Sequence, residues 1–533
     1  MQRFAALLDR LVLTPSRLGK LTLLRDHLSA VPDPDRGYAL AAITGDLDLP
    51  SVKPAMLRAL VEDRTDPVLF RLSYDYVGDL AETISLIWGP SPADQTGVSL
   101  GTVVDRLAGL SRSDAPAQIS AYLDAMDPAA RYALIKIITG GLRVGVSARL
   151  AKQALAEWGG VAVAEIEEIW HGLAPPYPEL FAWLEGRGEK PVAAGRALFR
   201  PVMLANPVED GDLARLVPAD YLAEWKWDGI RVQAVAEGGT RRLFSRTGDE
   251  ISRAFPDLVA ALDFEGAIDG ELLVLRPEAD PASPERVGSF SELQQRLNRK
   301  TVSAKLLASH PVFLRGYDLL AVGGENLRPL PFEARRARLE QIVGGLDPGR
   351  VDVSALVPFD DWDDIARLRA APPHPVIEGV MLKRRDAAYV PGRPKGPWFK
   401  WKKDPQVIDA VLMYAQRGHG KRSSFYSDYT FGVWDASGDL VPVGKAYFGF
   451  TDEEMKAIDK FVRDNTVERY GPVRAVRAEP GHGLVIEVAF EGLQRSSRHR
   501  SGLAMRFPRI SRLRWDKPPG EADRLASLEA MLG

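Results

Sequence analysis

Residues 224–231 read Glu224-Trp225-Lys226-Trp227-Asp228-Gly229-Ile230-Arg231, and the rest of the chain is best understood from them. Polar and aromatic residues alternate up to an Asp-Gly pair. Such alternation is typical of a half-buried strand, in which every second side chain shares a face. Glu224 and Lys226 should therefore project together, with the two tryptophans in the core. The simplest interpretation of Asp-Gly is the turn of a β-hairpin.

Length and composition restrict the class of protein. A chain of 533 residues is too long for one ordinary core and should hold about three domains. Hydrophobic content of 45% and charged content of 26% are typical of a soluble globular protein. No apolar run could span a bilayer, and Met1-Gln2-Arg3-Phe4 leads into an amphipathic helix rather than a signal peptide. We therefore expect a cytoplasmic protein without a membrane partner.

Cysteine content and net charge restrict the possible sites. The chain has no cysteine, which excludes disulfides and cysteine-based zinc sites. The formal net charge is −3, so a nucleic acid would have to bind local basic patches.

Three regions differ in their periodicity. Residues 1–199 show apolar residues at helical spacing, residues 200–404 mix short strand-like runs with helical stretches, and residues 405–533 are mostly strand-like around one helix at 452–465. Several short strands around one helix suit a small barrel of the oligonucleotide-binding (OB) type. The predicted fold is a multidomain one, all-α, then α+β, then β-barrel.

Lys226 is the candidate nucleophile. A free lysine has a pKa of roughly 10.4, so a nucleophilic lysine needs burial or nearby positive charge to become neutral. Basic residues and a metal ion around a bound triphosphate would provide this, and the sequence supplies candidates for both.

Polar residues at the ends of other predicted strands each allow two interpretations. Arg246 either belongs to an ordinary hairpin or offers its planar fork to a phosphate or ribose. Glu271, in Asp269-Gly270-Glu271, is either a turn residue or a ligand of a metal or ribose. Tyr317 is either a core residue or a platform for base stacking.

Charged residues also enter the later strands. Glu378 and Lys383 lie five positions apart and should face opposite sides of a regular strand, unless a bulge near Gly379 re-aims the chain. Of the two, Glu378 is preferred, as a metal ligand. Lys400 and Lys402 share one face, either as solvated lysines on an edge strand or as cations for a phosphate.

A basic block closes the chain. Arg506-Phe507-Pro508-Arg509 precedes Arg512, Asp516 and Lys517. It is either a solvated tail or a phosphate-binding segment.

In order and rough spacing these residues resemble the ATP-dependent DNA ligases of the bacterial three-domain type. Lys-x-Asp-Gly-x-Arg at 226–231 is the arrangement by which nucleotidyltransferases attach a nucleoside monophosphate to themselves. The resemblance covers essentially the whole chain, including the segment 138–147. It implies a helical DNA-binding domain (1–199), an adenylation or nucleotidyltransferase domain (200–404) and an OB-fold domain (405–533).

The resemblance implies a role for each candidate residue. Lys226 would form the covalent lysyl-AMP, and Glu378 and Glu271 would bind the metal. Arg393, chosen over Lys395, would precede the α-phosphate lysines. The residues implied to contact ATP are Glu224, Arg231, Arg246, Glu271, Tyr317, Arg393, Lys400 and Lys402, with Arg512, Asp516 and Lys517 acting on the leaving group.

The implied function is the sealing of nicks that carry a 5′-phosphate and a 3′-hydroxyl in double-stranded DNA. The cofactors would be ATP and Mg²⁺, with Mn²⁺ as the alternative metal, and the enzyme would act as a monomer. DNA should be held through its phosphates. The residues expected to hold it are Arg143, Arg417, Lys421 and Arg422.

Other classes share parts of this pattern. An NAD-dependent ligase would normally carry a four-cysteine zinc site, which this chain lacks. An RNA ligase or capping-type nucleotidyltransferase shares the lysine motif, and a DNA-binding scaffold with a retired active site is the non-enzymatic alternative.

Overall fold

Helices occupy the first third of the chain and strands dominate the rest. The computed structural model describes residues 1–47, 49, 54–77, 79–89, 97–111, 113–140, 142, 144–191, 197–276, 286–297, 299, 301–417, 426–496 and 499–532. The α-helices are α1 (Gln2–Leu13), α2 (Arg17–Ala30), α3 (Asp35–Thr44), α4 (Pro54–Glu62), α5 (Pro67–Val77), α6 (Leu80–Ile87), α7 (Leu100–Ala108), α8 (Ala115–Ala125), α9 (Pro128–Thr139), α10 (Ala148–Gly159), α11 (Val163–Ile169), α12 (Pro178–Leu184), α13 (Pro256–Ala260), α14 (Phe290–Gln294), α15 (Ala304–Ser309), α16 (Phe332–Val343), α17 (Trp362–Ala370), α18 (Asp452–Asp464) and α19 (Leu525–Ala530).

The strands begin at residue 206 and continue almost to the end of the chain. They are β1 (Asn206–Pro207), β2 (Tyr221–Trp227), β3 (Ile230–Glu237), β4 (Thr240–Ser245), β5 (Gly266–Val274), β6 (Val312–Val322), β7 (Glu325–Asn326), β8 (Val351–Val353), β9 (Leu356–Val357), β10 (Ile377–Arg384), β11 (Trp398–Lys402), β12 (Gln406–Arg417), β13 (Tyr426–Trp434), β14 (Leu440–Ala446), β15 (Thr466–Tyr470), β16 (Val473–Val476), β17 (Val485–Phe490), β18 (Gly492–Arg495), β19 (Leu503–Arg506) and β20 (Arg509–Arg514).

The chain divides into two compact units. The first comprises residues 1–52, 97–111 and 136–403, and the second comprises 53–96, 112–135 and 404–533. The predicted helical region contributes to both, and the domain boundaries at 199 and 404 stay a prediction. Within the residues that the structure describes, no helix is both long enough and apolar enough to cross a membrane.

The N-terminal helices of the first unit form because their apolar residues fall on one face. In α1 the buried side chains include Phe4, Leu7, Leu8 and Leu11, which are spaced three or four residues apart. Helix α2 packs on α10. Each of these two helices begins with a serine cap, in which the hydroxyl accepts a hydrogen bond from the backbone N–H three residues later.

The Asp228–Gly229 turn carries the chain from one sheet to another, so the hairpin interpretation is wrong. Strand β2 belongs to a sheet of order β1-β11-β10-β2-β9. Strand β3 belongs to a second sheet of order β4-β3-β5-β6-β7, with β8 paired to β6. A Cβ on Gly229 would lie 2.5 Å from the carbonyl oxygen of Leu272, so only glycine fits where the turn crosses β5. The crossing places the end of β2 beside the start of β3.

Apolar side chains pack against the faces of both sheets of this region. Val232, Ala234, Ile268 and Leu314 form the centre of the core beneath the second sheet, and Leu339 of α16 packs against them. Of the two tryptophans in the opening motif, Trp227 is buried and Trp225 is half-buried, in line with the predicted core face. Strand β11 lies between β1 and β10, so it is not the edge strand that one interpretation assumed.

Strand β10 contains the bulge that the sequence left open. Its pairing with β2 shifts register between Ile377 and Gly379. Gly379 has φ +147°, and a Cβ there would lie 2.2 Å from the carbonyl oxygen of Trp401. Both features require glycine. The bulge turns the side chain at 378 to the opposite side of the strand.

In the second unit, residues 404–533 form a barrel-like sheet. Strand β12 pairs with β13, β16 and β17 along different parts of its length, and β17 pairs with β20. Helix α18 interrupts the strands where the sequence predicts one, and Thr451 and Glu454 form a capping box at its start. The barrel core includes Tyr429, Phe431 and Phe490.

Replacing Gly379 by alanine should destabilise the first unit by about 3 kcal/mol, because the added methyl meets the β11 backbone at a positive φ. Gly323→Ala is the matched control. Gly323 also has a positive φ, +55°, but no atom of the described residues lies within 4 Å of the methyl that the substitution would add, so the cost should be about 1 kcal/mol. Urea unfolding measures both variants; equal losses would contradict the bulge.

Candidate active site

Lys226 lies one residue before the end of β2 and is one member of an ion pair. Its Nζ donates to Glu378 Oε1, and Lys402 Nζ lies 2.9 Å from Glu378 Oε2. The side chains of Lys226 and Glu378 are 22% and 20% exposed. The pair is therefore shielded from bulk water but remains open to a ligand.

Glu378 reaches Lys226 because of the Gly379 bulge. Lys383, on the same strand, contacts Glu224, which shares the face of β2 that carries Lys226. In a regular strand two residues five apart would face opposite sides. The bulge brings both charged side chains of β10 to the same face as the nucleophile candidate.

Two carboxylates near Lys226 differ in their protonation. Burial raises the pKa of Glu271 to about 7, against the opposing charges of Lys226 and Arg231. Burial also acts to raise the pKa of Glu378, but the charges and hydrogen bonds of Lys226 and Lys402 outweigh it, so that pKa is lowered. Near neutral pH, Glu378 is therefore charged, whereas Glu271, with a pKa of about 7, is partly protonated.

These two carboxylates are the residues that could hold a divalent cation. Among the residues that the structure describes, no three His, Cys, Asp or Glu side chains are grouped to bind a metal. Mg²⁺ is commonly held by one or two carboxylates, with phosphate oxygens completing its shell. Glu271 and Glu378 therefore fit a cation that arrives together with phosphate groups.

Cations cluster around Lys400, close enough to Lys226 for the two charges to interact. Burial lowers the pKa of Lys400, and the charges of Lys226, Arg393, Lys402 and Arg246 lower it further. Arg246 and Arg393 are exposed, whereas Lys400 and Lys402 are half-buried on β11. Like charges gathered in this way repel one another unless an anion binds among them. The cluster fits a polyphosphate.

Arg231 is engaged by an acid that the sequence did not assign to it. Its guanidinium donates to both carboxylate oxygens of Asp269, at 3.0 and 2.6 Å. Tyr389 donates to Asp269 at 2.7 Å, and Tyr317 does so at 3.3 Å. Asp269 is fully buried. The predicted contact of Arg231 with a nucleotide stays a prediction.

Glu224 lies deeper, among residues that sequence reasoning ranked low or missed. It is buried and accepts hydrogen bonds from Arg336 and Lys383. The ammonium of Lys383 lies 4.2 Å from the centre of the Tyr317 ring. A signal for Arg336 existed, since charged residues at positions 335 and 336 interrupt the buried face of α16.

The second unit holds a separate charged cluster at the end of the barrel. Asp409 accepts hydrogen bonds from Lys517 Nζ at 2.8 Å and from Arg514 at 3.1 Å. Asp516 pairs with the same Arg514, and the mostly exposed Arg512 lies 3.3 Å from Glu487. Sequence reasoning named the last basic block but not Asp409 or Glu487.

Only one of the four predicted DNA-binding residues lies in the part of the chain that the structure describes. Arg417 is exposed at the end of β12, with its guanidinium 5.7 Å from the ring centre of Tyr426. The other three, Arg143, Lys421 and Arg422, lie outside the described residues.

Comparison with known proteins yields one consistent family. Residues 202–402 match the model of the ATP dependent DNA ligase domain, and residues 422–517 match that of the ATP dependent DNA ligase C terminal region. A "Probable DNA ligase" from Koribacter versatilis is 34% identical over 86% of this chain and 82% of its own length. Another from Anaeromyxobacter sp. strain K is 31% identical over 98% of this chain and 97% of its own.

A likeness to a solved structure extends over nearly the whole chain. The structure titled "Pmar-Lig_PreS3" is 15% identical with a TM-score of 0.59, and the match covers 96% of this chain and 99% of that one. At this identity the likeness concerns the fold alone.

The raised pKa of Glu271 should make stability depend on pH. Between about pH 4.5 and 7 the unfolded glutamate loses its proton while the folded one keeps it, so stability should fall as the pH rises through this window. The loss should reach about 3 kcal/mol at most. Urea unfolding of wild type and Glu271→Gln from pH 4.5 to 8 measures it; parallel profiles would contradict the assignment.

Proposed function

The chain belongs to the ATP-dependent DNA ligase family, and from this premise we propose that it seals nicks with a 5′-phosphate and a 3′-hydroxyl in duplex DNA. The observation that carries the proposal is the position of Lys226. It is paired with a largely buried carboxylate, and it lies close to a cluster of cations suited to a polyphosphate. The proposed nucleophile on β2 and the proposed phosphate-binding lysines on β11 therefore lie close together.

The first step joins AMP to the enzyme. The unprotonated Nζ of Lys226 attacks the α-phosphorus of ATP, a P–N bond forms as the nitrogen loses one proton to solvent, and the bond to pyrophosphate breaks. Lys400, Lys402 and Arg393 would stabilise the negative charge that develops on the phosphorus oxygens. Glu378 and Glu271 would hold the divalent cation, for which we propose Mg²⁺ with Mn²⁺ as the alternative, and its charge would assist the departure of pyrophosphate.

Two further transfers complete the reaction. A phosphate oxygen at the 5′ side of the nick attacks the phosphorus of lysyl-AMP, the P–N bond breaks as the nitrogen takes up a proton from solvent, and a DNA-adenylate forms. The 3′-hydroxyl then attacks the 5′-phosphate, loses its proton, and displaces AMP. Lys226 is regenerated after the second step, which permits repeated turnover.

The remaining site residues would bind the nucleoside. We propose that Glu224 contacts the adenine edge and that the Tyr317 ring stacks on the base. Arg231, Arg246 and Glu271 would contact ribose or phosphate.

DNA is proposed to bind the N-terminal helices through its phosphates. A cavity of about 710 Å³ opens at the starts of α2 and α10 and is lined by Arg17, Lys20 and Arg149. Lys20 Nζ donates to the carbonyls of Val144 and Gly145, which fixes the loop before α10. Cations beside helix N-termini favour phosphate. We propose that one chain binds the nick, with Arg143, Arg417, Lys421 and Arg422 adding sequence-independent contacts.

Incubation with ATP labelled at the α-phosphate should leave a covalent label on the denatured wild-type protein. The label should be absent from Lys226→Ala and about tenfold slower to form in Arg393→Ala, because a phosphate contact is lost. Lys395→Ala is the matched control and should label normally. Denaturing electrophoresis measures all four proteins.

Nicked DNA should then discharge the label into a sealed strand. Labelling from NAD instead of ATP would overturn the choice of cofactor. Discharge by nicked RNA alone would favour an RNA ligase, labelling without any discharge would favour a capping-type transferase, and no labelling would favour a retired scaffold.

The barrel cluster is proposed to act only while pyrophosphate leaves, with Arg512, Asp516 and Lys517 as its members. Lys517→Ala should therefore slow lysyl-AMP formation by about 100-fold. It should change the sealing of a nick that already carries AMP by less than about threefold, since no pyrophosphate leaves then. Single-turnover assays of both steps measure this, with the exposed Lys456→Ala as control; equal slowing of both steps would contradict the role.

A further inference from the structure

Glu224 has both of its carboxylate oxygens held by cations. Arg336 Nη1 donates to Oε1 and Lys383 Nζ donates to Oε2, each at 3.1 Å. Only 2% of the Glu224 side chain is exposed. Since the carboxylate is almost fully buried, these two partners orient it, and within the described part of the chain they are its hydrogen-bond donors. A ligand that contacts Glu224 from the site therefore contacts a carboxylate whose orientation is already fixed.

The other two guanidinium nitrogens of Arg336 are also held by hydrogen bonds. Its Nε donates to Glu340 Oε1 at 2.7 Å, and its Nη2 donates to the carbonyl oxygen of Ser354 at 2.5 Å. The guanidinium is planar and rigid, so these two bonds determine where Nη1 points. Arg336 thus transmits the positions of α16 and of the backbone at Ser354 to Glu224.

Lys383 is fixed by aromatic rings. Its ammonium lies 4.2 Å from the ring centre of Tyr317, 4.7 Å from that of Trp398 and 4.9 Å from that of Phe332. The negative faces of such rings hold a cation in place. Tyr317 also borders the site, so the surface proposed for base stacking and the orientation of Glu224 are coupled through Lys383.

We propose that Arg336, together with Lys383, makes the enzyme select adenine by holding Glu224 as a group that only accepts hydrogen bonds. Adenine offers an amino group at position 6, whereas hypoxanthine offers a carbonyl oxygen there. A carboxylate pairs with the first and repels the second. Arg336 is a positioning residue, and this inference rests on the proposed use of ATP and on Glu224 facing the base.

The test compares ATP with ITP, which differs in the base alone. Formation of the covalent lysyl adduct is followed with α-labelled ATP and ITP over a range of concentrations. The wild type should prefer ATP by at least about 100-fold in kcat/KM, because a polar site built for one group rejects its opposite. In Arg336→Met the preference should fall below about tenfold, mainly through a higher KM for ATP.

Glu340→Gln is the matched control, because it removes only the charge of the exposed partner, keeps an amide oxygen that can accept from Arg336 Nε, and leaves Glu224 untouched. It should keep the wild-type preference, and Arg336→Lys should lie between. An unchanged ATP preference in Arg336→Met, or an equal loss of rate with both nucleotides, would overturn the inference. If Arg336→Met unfolds, Arg336→Lys decides by the same ratio, since one ammonium cannot reach all three partners.

Adduct formation by the wild type distinguishes failure of the proposed function from failure of the role of Arg336. If the wild type forms no adduct with either nucleotide, the proposed function fails. If it forms adducts from ATP and ITP equally well, only the role of Arg336 and Glu224 fails.

Discussion

The pairing of Lys226 with Glu378 is the interaction around which the site is arranged. Both side chains are four-fifths buried, and a buried charge without a partner would be costly. Lys226 can occupy this position because β10 supplies Glu378, and β10 can do so because Gly379 permits the bulge. For the nucleophile proposed here, the ion pair with Glu378 orients the amine, and the amine would become available when a divalent cation draws that carboxylate away.

Charge is sorted along the site by depth. Lys400, Lys402, Arg246 and Arg393 form the outer, cationic part. Lys226 is paired with Glu378, and at the inner end of the site Glu224 is paired with Arg336 and Lys383. This order matches ATP, whose charge is confined to the phosphates and whose base is neutral. In the proposed binding of ATP, the exposed cations would contact the phosphates and the buried ion pairs would contact the base.

Local sequence patterns predicted the strands that carry the site, because alternation and turn residues are read over a few positions. They placed Glu224 and Lys226 on one face and Lys400 beside Lys402. They could not assign Asp269 to Arg231, since that contact depends on the register between β3 and β5. The family resemblance supplied roles for residues but not the partners that orient them.

Arg336 was missed for a related reason. It lies in a helix more than a hundred residues from Glu224, and a run of charged residues in a helix usually indicates a solvated face. The helical spacing of Arg336 from Phe332 and Leu339 was a weak signal, and the packing of α16 against the sheet shows that this arginine is buried. The orientation of Glu378 was left open, because either a regular or a bulged strand satisfied the same sequence.

The passage of the chain from β2 to β3 has a consequence for how such a protein can diverge. Only Asp228 and Gly229 separate the two strands, so the length of this turn determines how Lys226 of one sheet is positioned relative to Arg231 of the other. Surface loops can lengthen at small entropic cost. One residue inserted in this turn would change the position of the Lys226 amine relative to the Arg231 guanidinium. The turn should therefore vary less in length than the surface loops.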